Sequence, residues 1–183
     1  MISSVYDSPI GPLTLASNGA ALTQLEFENP KHPLPPVAPG NDKIIEQAKR
    51  ELDAYFKGKL KTFTVPVAPQ GTEFQRKAWA ALQKIPYGTT RTYGQQAKVI
   101  GSPAASRAVG AANGRNPVAV IIPCHRVIGS NGSLTGFGGG MERKKFLLDL
   151  EQGELLSAED YEVATALAHR VSVGDRASKS RRG

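Results

Sequence analysis

The sequence has a single cysteine, Cys124, among its 183 residues. One cysteine excludes an internal disulfide and a thiolate-rich zinc site, so we expect no metal centre. Most lone cysteines are small buried hydrophobic residues, and composition alone favours that interpretation. If Cys124 has a chemical role, it acts as a nucleophile without help from a second thiol.

Long hydrophobic runs are also missing. No apolar segment approaches the roughly 20 residues that a membrane-spanning helix needs. Residues 1–7 lack the basic and apolar regions of a secretory signal. The sequence therefore predicts a cytoplasmic protein that has no membrane partner. Its length of 183 residues fits one domain or two small ones, and its 40% hydrophobic content can supply a core.

The net charge of +7 is unevenly distributed. Residues 1–71 carry seven basic and seven acidic side chains, and residues 153–183 carry five of each. Residues 72–152 carry eleven basic side chains against four acidic ones. A basic segment of this kind attracts a polyanion such as DNA. A basic surface without any ligand is the alternative that charge alone leaves open.

The first third of the chain has the pattern of a small α/β unit, which we assign to residues 1–65. Short apolar runs separated by Gly, Pro and Asn indicate strands, and apolar residues at helical spacing indicate one helix that ends before Gly58. The predicted elements are strands at 5–6, 13–15, 22–27 and 62–65 and a helix over 44–56. No constellation of reactive side chains occurs here, so this unit is expected to have a supporting role.

Residues 66–71 are predicted to be a linker, and the pattern beyond them is helical. Thr72 and Gln75 have the spacing of a capping box that begins a helix reaching Ile85. Two shorter helices are predicted at 93–100 and 103–112, with Ser102 as the N-cap of the second. Two short helices joined by a tight glycine turn are typical of a helix-turn-helix.

The second of these short helices consists almost entirely of small residues. Arg107 is its only long polar side chain. Small side chains allow a helix to approach another surface closely, and that surface is either a neighbouring helix or a DNA groove. The residues of this helix alone favour the neighbouring helix.

A continuous apolar run, 118–122, precedes Cys124 and is predicted to be a buried strand. His125 follows the cysteine directly, and a thiol needs a base or a positive field to become a good nucleophile. Adjacent side chains of a strand point to opposite faces, so His125 can reach Cys124 only if the backbone turns there. Pro123 makes such a turn reasonable.

The longer string around the cysteine is more specific than a Cys-His pair. It runs Pro-Cys-His-Arg-Val over 123–127, with Asn-Gly-Arg-Asn-Pro before it at 113–117 and Gly-Phe-Gly-Gly-Gly after it at 136–140. This pattern closely resembles the O6-alkylguanine-DNA alkyltransferase family from about Gly71 to Glu151. Residues 8–12, Ser-Pro-Ile-Gly-Pro, are similar to the opening turn of that family.

The resemblance implies direct reversal of DNA damage in a single turnover without a cofactor. An alkyl group would pass from O6 of guanine, or O4 of thymine, to Cys124. By the same resemblance His125 is the base acting through a water, Glu151 orients His125, and Asn116 completes the network. The implied partner is double-stranded DNA that carries the damaged base, and the protein is expected to be a monomer.

The resemblance also implies how the damaged base is held outside the helix stack. Tyr93 matches a tyrosine that crowds the phosphate, and Arg107 matches the arginine that fills the vacated stack. The implied DNA- and substrate-binding residues are Tyr93, Arg107, Arg115, Val127, Phe137 and Gly138. Phe137 departs from the family, where many members have tyrosine and therefore a hydroxyl group.

The implied fold is a ribonuclease H-like α/β domain followed by a mainly α domain over 72–156 with a winged-helix-like helix-turn-helix. Residues 157–183 are expected to be a partly disordered extension, since they end in a basic tail. Two other functions remain open. One is a related protein that binds damaged DNA without reacting, and the other is a cysteine hydrolase using Cys124, His125 and Glu151.

Overall fold

The computed structural model describes residues 1–154, so the prediction for residues 157–183 lies outside the described part of the chain. The N-terminal third forms a three-stranded antiparallel sheet in the order β1-β2-β3. The strands are β1 (Ile2–Ser8), β2 (Gly11–Ser17) and β3 (Leu22–Phe27). Gly11 has a φ of +100°, which a residue with a side chain rarely adopts, and this allows the tight turn between β1 and β2.

The predicted first helix is confirmed as α1 (Lys43–Phe56). Asp42 caps it by accepting hydrogen bonds of 2.9 Å from the backbone N–H groups of Ile44 and Ile45. The apolar face of α1 packs on the sheet, and its buried residues include Leu52 and Tyr55. Hydrophobic burial of this face therefore fixes α1 against β1 and β2.

The predicted strand at 62–65 is wrong. The backbone N–H groups of Thr64 and Val65 donate to the Glu51 carboxylate at 2.9 and 3.1 Å, so a side chain replaces the partner strand. The edge of β3 instead pairs with residues 66–68 of the predicted linker. Leu22 donates to the Pro66 carbonyl at 2.8 Å and Ala68 donates to the Leu22 carbonyl at 2.9 Å.

The second half of the chain begins with α2 (Glu73–Gln83), and the predicted Thr72–Gln75 capping box is present. A short strand β4 (Arg91–Thr92) leads into α3 (Tyr93–Val99), and α4 (Ser106–Gly114) follows. β4 pairs in parallel with β5 (Val127–Ile128). The last described helix is α5 (Met141–Gln152).

The predicted N-cap of α4 at Ser102 is wrong, because α4 begins three residues later than predicted, with Ala105 at the cap position. The Ser102 N–H donates to the Ala97 carbonyl at 2.9 Å, and this bond closes the end of α3. The Ser102 carbonyl then accepts from Ala105 and forms a separate turn. Since Ser102 completes the preceding helix, it does not begin the next one.

The predicted strand at 118–122 is also wrong. These residues form a compact buried turn in which Ile121 donates to the Ala119 carbonyl at 2.8 Å and Ile122 donates to the Val118 carbonyl at 3.0 Å. Val120 has a φ of +68°, a conformation that costs a β-branched residue on the order of 1–3 kcal/mol. Packing in the core, where Val120 is fully buried, must offset this strain.

This buried turn joins the two halves of the molecule. Leu25 of β3 donates to the Pro117 carbonyl at 2.8 Å, and Ala119 donates to the Leu25 carbonyl at 3.1 Å. A single hydrophobic core runs through both halves, with Leu25, Trp79 and Val118 among its members. The chain just before Cys124 is therefore anchored on the edge of the N-terminal sheet. Within residues 1–154, no helix has the length and apolar character needed to cross a membrane.

Candidate active site

Cys124 begins a single turn of 3-10 helix that covers Cys124–Arg126. The backbone therefore turns at this point, which is the condition that the sequence set for the His125 side chain to reach the cysteine. The Cys124 side chain is buried, with 7% of its surface exposed. Burial raises the pKa of its thiol, which the Asn116 amide and the positive charge of Lys144 lower only in part. A neutral thiol therefore needs a base before it can attack.

Asn116 holds the loop that presents the cysteine. Its amide nitrogen Nδ2 donates to the Ile122 carbonyl at 2.7 Å and lies 3.2 Å from Cys124 Sγ. Its oxygen Oδ1 accepts from the Val118 N–H at 3.0 Å. A single side chain thus fastens both ends of the buried turn and contacts the sulfur.

Glu151, near the end of α5, is the centre of a buried polar cluster. We call Tyr55, His125, Arg126 and Glu151 the carboxylate hub. Glu151 Oε1 lies 2.7 Å from His125 Nε2 and accepts from the Tyr55 hydroxyl at 2.7 Å. Arg126 donates to both carboxylate oxygens at 2.9 Å. The predicted pairing of His125 with Glu151 is present in the fold.

The charges of the hub follow from these contacts. Burial alone would raise the pKa of Glu151, but the bonds to His125 and Arg126 outweigh it and lower that pKa to about 2. Burial lowers the pKa of His125, opposed by the nearby Glu151 carboxylate. At neutral pH Glu151 is therefore an anion and His125 is a neutral imidazole.

The protonation of His125 is set by its partner. An ionised carboxylate can only accept hydrogen bonds, so His125 Nε2 carries the proton. His125 Nδ1 is then a lone-pair acceptor, and it is the buried side-chain atom within residues 1–154 that has no hydrogen-bond partner. His125 follows Cys124 directly in the chain, and a buried imidazole nitrogen without a partner can accept a proton.

Lys144 is a further charged residue near the sulfur, and the sequence pattern did not identify it. The side chain is buried on α5, where its ammonium donates to the Val127 carbonyl at 2.5 Å and to the Thr135 carbonyl at 2.8 Å. Burial lowers its pKa to about 8. Tyr55 and Arg126 were missed as well, since helical spacing marks Tyr55 only as a core residue.

Cys124 lines an open cavity. It is lined by residues from both halves of the chain, including Asn116, Arg115, Phe137 and Gly138. Phe137 packs edge-on against Phe27, with 5.6 Å between the ring centroids. A side chain at Gly139 would approach the Phe27 ring to 2.6 Å, so glycine is needed for this close packing.

The other predicted DNA- and substrate-binding residues do not line this cavity. Tyr93 is half-buried at the start of α3, and its hydroxyl donates to the Thr135 carbonyl at 2.8 Å. Arg107 is exposed in the first turn of α4. Val127 is buried, and its carbonyl accepts the Lys144 ammonium. Across the described residues, no group of three or more His, Cys, Asp or Glu side chains is arranged to hold a metal ion.

Comparison with protein families matches both halves of the chain. Residues 1–69 match the ribonuclease-like domain of 6-O-methylguanine DNA methyltransferase. Residues 73–153 match the DNA binding domain of the same family. The boundary between the two matches lies between α1 and α2.

Relatives and solved structures agree with these matches. Methylated-DNA--protein-cysteine methyltransferase from Methanosarcina acetivorans is 52% identical over 153 residues, covering 82% of this chain and 98% of that protein. The Mycobacterium leprae protein of the same name is 50% identical over 154 residues, covering 83% of this chain and 93% of its own.

A crystal structure of Mycobacterium tuberculosis OGT in complex with DNA superimposes with a TM-score of 0.80 at 46% identity, covering 88% of this chain and 99% of that chain. An O6-methylguanine DNA methyltransferase from Methanococcus jannaschii gives a TM-score of 0.59 at 29% identity, with coverages of 86% and 96%. The chain belongs to the 6-O-methylguanine DNA methyltransferase family, with its ribonuclease-like domain followed by its DNA binding domain.

Proposed function

We propose that this protein repairs DNA by direct reversal, moving an alkyl group from O6 of guanine, or O4 of thymine, onto its own Cys124. The observation that carries the proposal is the position of Cys124. Cys124 lines an open cavity, and the next residue along the chain, His125, belongs to the carboxylate hub, so a substrate can reach the cysteine from the cavity while the adjacent residue supplies a base. The names of the relatives support the same reaction.

The hub suits the activation of a buried thiol. The Cys124 proton passes through a bridging water to His125 Nδ1, the unpaired nitrogen. Glu151 stays ionised and stabilises the imidazolium that forms. Asn116 donates to the sulfur and supports the negative charge that develops there. This is the nucleophile, base and orienting carboxylate arrangement of other thiol sites.

The bond changes balance without a cofactor. The Cys124 Sγ–carbon bond forms as the carbon–O6 bond breaks, and the electron pair of that bond leaves with the guanine. The guanine takes up one proton as it leaves, so the net result is that the Cys124 proton is transferred to the guanine. Because a thioether is stable, each molecule reacts once.

We infer that α3 and α4 form a winged-helix-like helix-turn-helix that grips duplex DNA. The excess positive charge lies in this half, and α4 has small residues around Arg107. An alkylated base must leave the stack to reach a buried sulfur. Arg107 would fill the gap it leaves, Tyr93 would crowd the phosphate of the flipped nucleotide, and Arg115 would also contact the DNA.

The displaced base would enter the cavity beside Phe137 and Gly138, where the Gly138 N–H offers a hydrogen bond. The Val127 carbonyl, which accepts the Lys144 ammonium outside the cavity lining, would have to exchange that bond to accept from the base. We assign residues 1–65 to a ribonuclease H-like supporting domain, 66–71 to a linker and 72–156 to the reacting domain. The protein would act as a monomer in the cytoplasm.

The test is the intact mass of the protein after incubation with duplex DNA containing O6-methylguanine. We expect a gain of one methyl mass, located on Cys124 by peptide mapping. The Cys124→Ser variant should bind the same duplex and gain no mass. A parent protein that binds the duplex but never gains mass would contradict the proposal, and repeated turnover of an ester substrate would favour a hydrolase.

A further inference from the structure

The hub receives one of its hydrogen bonds from the N-terminal half of the molecule. Tyr55 lies near the end of α1, 96 residues before Glu151, and its hydroxyl donates to Glu151 Oε1 at 2.7 Å. Tyr55 is fully buried and Glu151 is nearly so. A buried hydrogen bond to an ionised carboxylate is stronger than one between neutral groups.

We propose that Tyr55 is a positioning residue for alkyl transfer, because its O–H group holds Glu151 Oε1 toward His125 and keeps the proton on the imidazole. This inference rests on the proposed function. It gives the ribonuclease-like half of the protein a part in the reaction, since the hydroxyl group comes from α1.

The oxygen that Tyr55 contacts is the one that His125 uses. Glu151 Oε1 accepts from Tyr55, from His125 Nε2 and from Arg126 Nη2 at 2.7, 2.7 and 2.9 Å. Each donor to an anion lowers the proton affinity of that anion. When His125 becomes an imidazolium, this sharing keeps its proton from moving to the carboxylate. The positive charge then stays on the ring beside the Cys124 thiolate, where it stabilises the nucleophile.

The charged and titratable groups around the hub come from several elements. They are Tyr55 of α1, Tyr87 after α2, Cys124, His125 and Arg126 of the 3-10 turn, and Lys144 of α5. The Tyr87 hydroxyl lies 3.5 Å from the Leu150 carbonyl, and its ring lies 5.8 Å from the Arg126 guanidinium. Tyr55 is therefore the tyrosine whose hydroxyl bonds to the carboxylate.

Tyr55→Phe removes this hydroxyl and retains the buried ring. Without this bond Glu151 Oε1 is no longer held toward His125, and the loss of orientation should slow the single-turnover alkylation of Cys124 roughly tenfold at pH values above the acid limb. Glu151 Oε1 would then attract the His125 proton more strongly, so the pKa of His125 should rise. Since His125 acts only while Nδ1 is unprotonated, the acid limb of the pH–rate profile should move to higher pH.

Tyr6→Phe is the matched control. Tyr6 also belongs to the N-terminal half, and its hydroxyl donates to the carboxylate of Asp53 at 2.6 Å, within that half. The control variant should lose a similar amount of thermal stability but react at the parent rate with an unchanged pH profile. Both variants should bind undamaged duplex DNA like the parent.

The experiment measures single-turnover rates on O6-methylguanine duplex across pH, thermal midpoints, and the His125 pKa from its ring proton resonances. A slower Tyr55→Phe with a raised His125 pKa supports the proposal. An unchanged rate, equal slowing in both variants, or slowing without a change in the His125 pKa would overturn it. The NMR titration needs no reaction, so a parent that fails to alkylate would contradict the proposed function separately.

Discussion

Two polar regions of the protein are built in opposite ways. In the carboxylate hub, Glu151 accepts from three side chains and the cluster is almost completely buried. On the recognition surface, which we define as residues 93–115, Arg107 is exposed, and no side chain in the described part of the chain pairs with it. Under the proposed function, the reacting groups are thus ordered before DNA binds, whereas Arg107 would gain its partner only from the DNA.

This difference has an energetic reason. A buried charge without a partner costs several kcal/mol, so the hub must be complete within the folded protein. An exposed arginine is solvated by water, so leaving it unpaired costs little free energy until a phosphate or a gap in the base stack becomes available. Changes in the hub should therefore affect both stability and chemistry, and changes on the recognition surface should affect DNA binding alone.

The largest effect should come from the base and its orienting carboxylate. We expect His125→Ala and Glu151→Gln each to slow alkylation at pH 7 by roughly 100-fold or more, since general acid–base catalysis contributes about 10²–10⁴-fold. Glu151→Gln should also lower the free energy of unfolding by about 3 kcal/mol, because it leaves Arg126 without its anionic partner. Single-turnover rates and denaturant unfolding measure the two effects.

Glu142→Gln is the control for this change, because Glu142 is an exposed residue in the first turn of the same helix. It should react and unfold like the parent. If His125→Ala and Glu151→Gln both alkylate at the parent rate, the proposed proton transfer is wrong.

The contacts in the fold explain why the sequence predicted some parts of the site and of the fold and not others. Cys124, His125 and Asn116 were identified because they lie within ten residues in a specific string. Tyr55 was not, because its partner lies 96 residues away and its helical spacing marks it only as core. The 118–122 run was taken for a strand because an apolar pattern cannot distinguish a strand from a buried turn. The prediction of Ser102 as the N-cap of α4 was wrong because the Ser102 N–H closes the end of the preceding helix.

The second effect concerns acid stability. The pKa of Glu151 is about 2 in the fold, against an ordinary value of 4.5. The unfolded chain therefore takes up this proton first as pH falls. The contribution, about 3 kcal/mol for a shift of this size, is complete above about pH 4.5 and is lost as pH falls toward 2.

Denaturant unfolding at pH 6 and at pH 2.5 measures this loss, and the Glu151→Gln variant isolates it from the other carboxylates. The variant should be less stable than the parent at pH 6, and the difference between the two should shrink at pH 2.5. A difference that stays constant over this range would mean that ionisation of Glu151 does not stabilise the fold.

The smallest effect should come from the recognition surface, and it should appear on one substrate only. Arg107→Ala should slow the repair of O6-methylguanine in duplex DNA by roughly tenfold, since holding a base outside the stack costs a few kcal/mol and Arg107 would supply part of that energy. Reaction with free O6-benzylguanine needs no base flipping and should be unchanged, as should the free energy of unfolding. Arg50→Ala is the matched control, because Arg50 is exposed on α1 in the charge-balanced half.

The affinity of the parent protein for duplex DNA should fall as the salt concentration rises, because phosphate contacts release counterions. If Arg107 contacts a phosphate, the affinity of the Arg107→Ala variant should fall less steeply with salt than that of the parent. Equal slowing on both substrates would mean that Arg107 supports the fold or the cavity. The division between a preformed hub and a surface completed by DNA would then not hold at this residue.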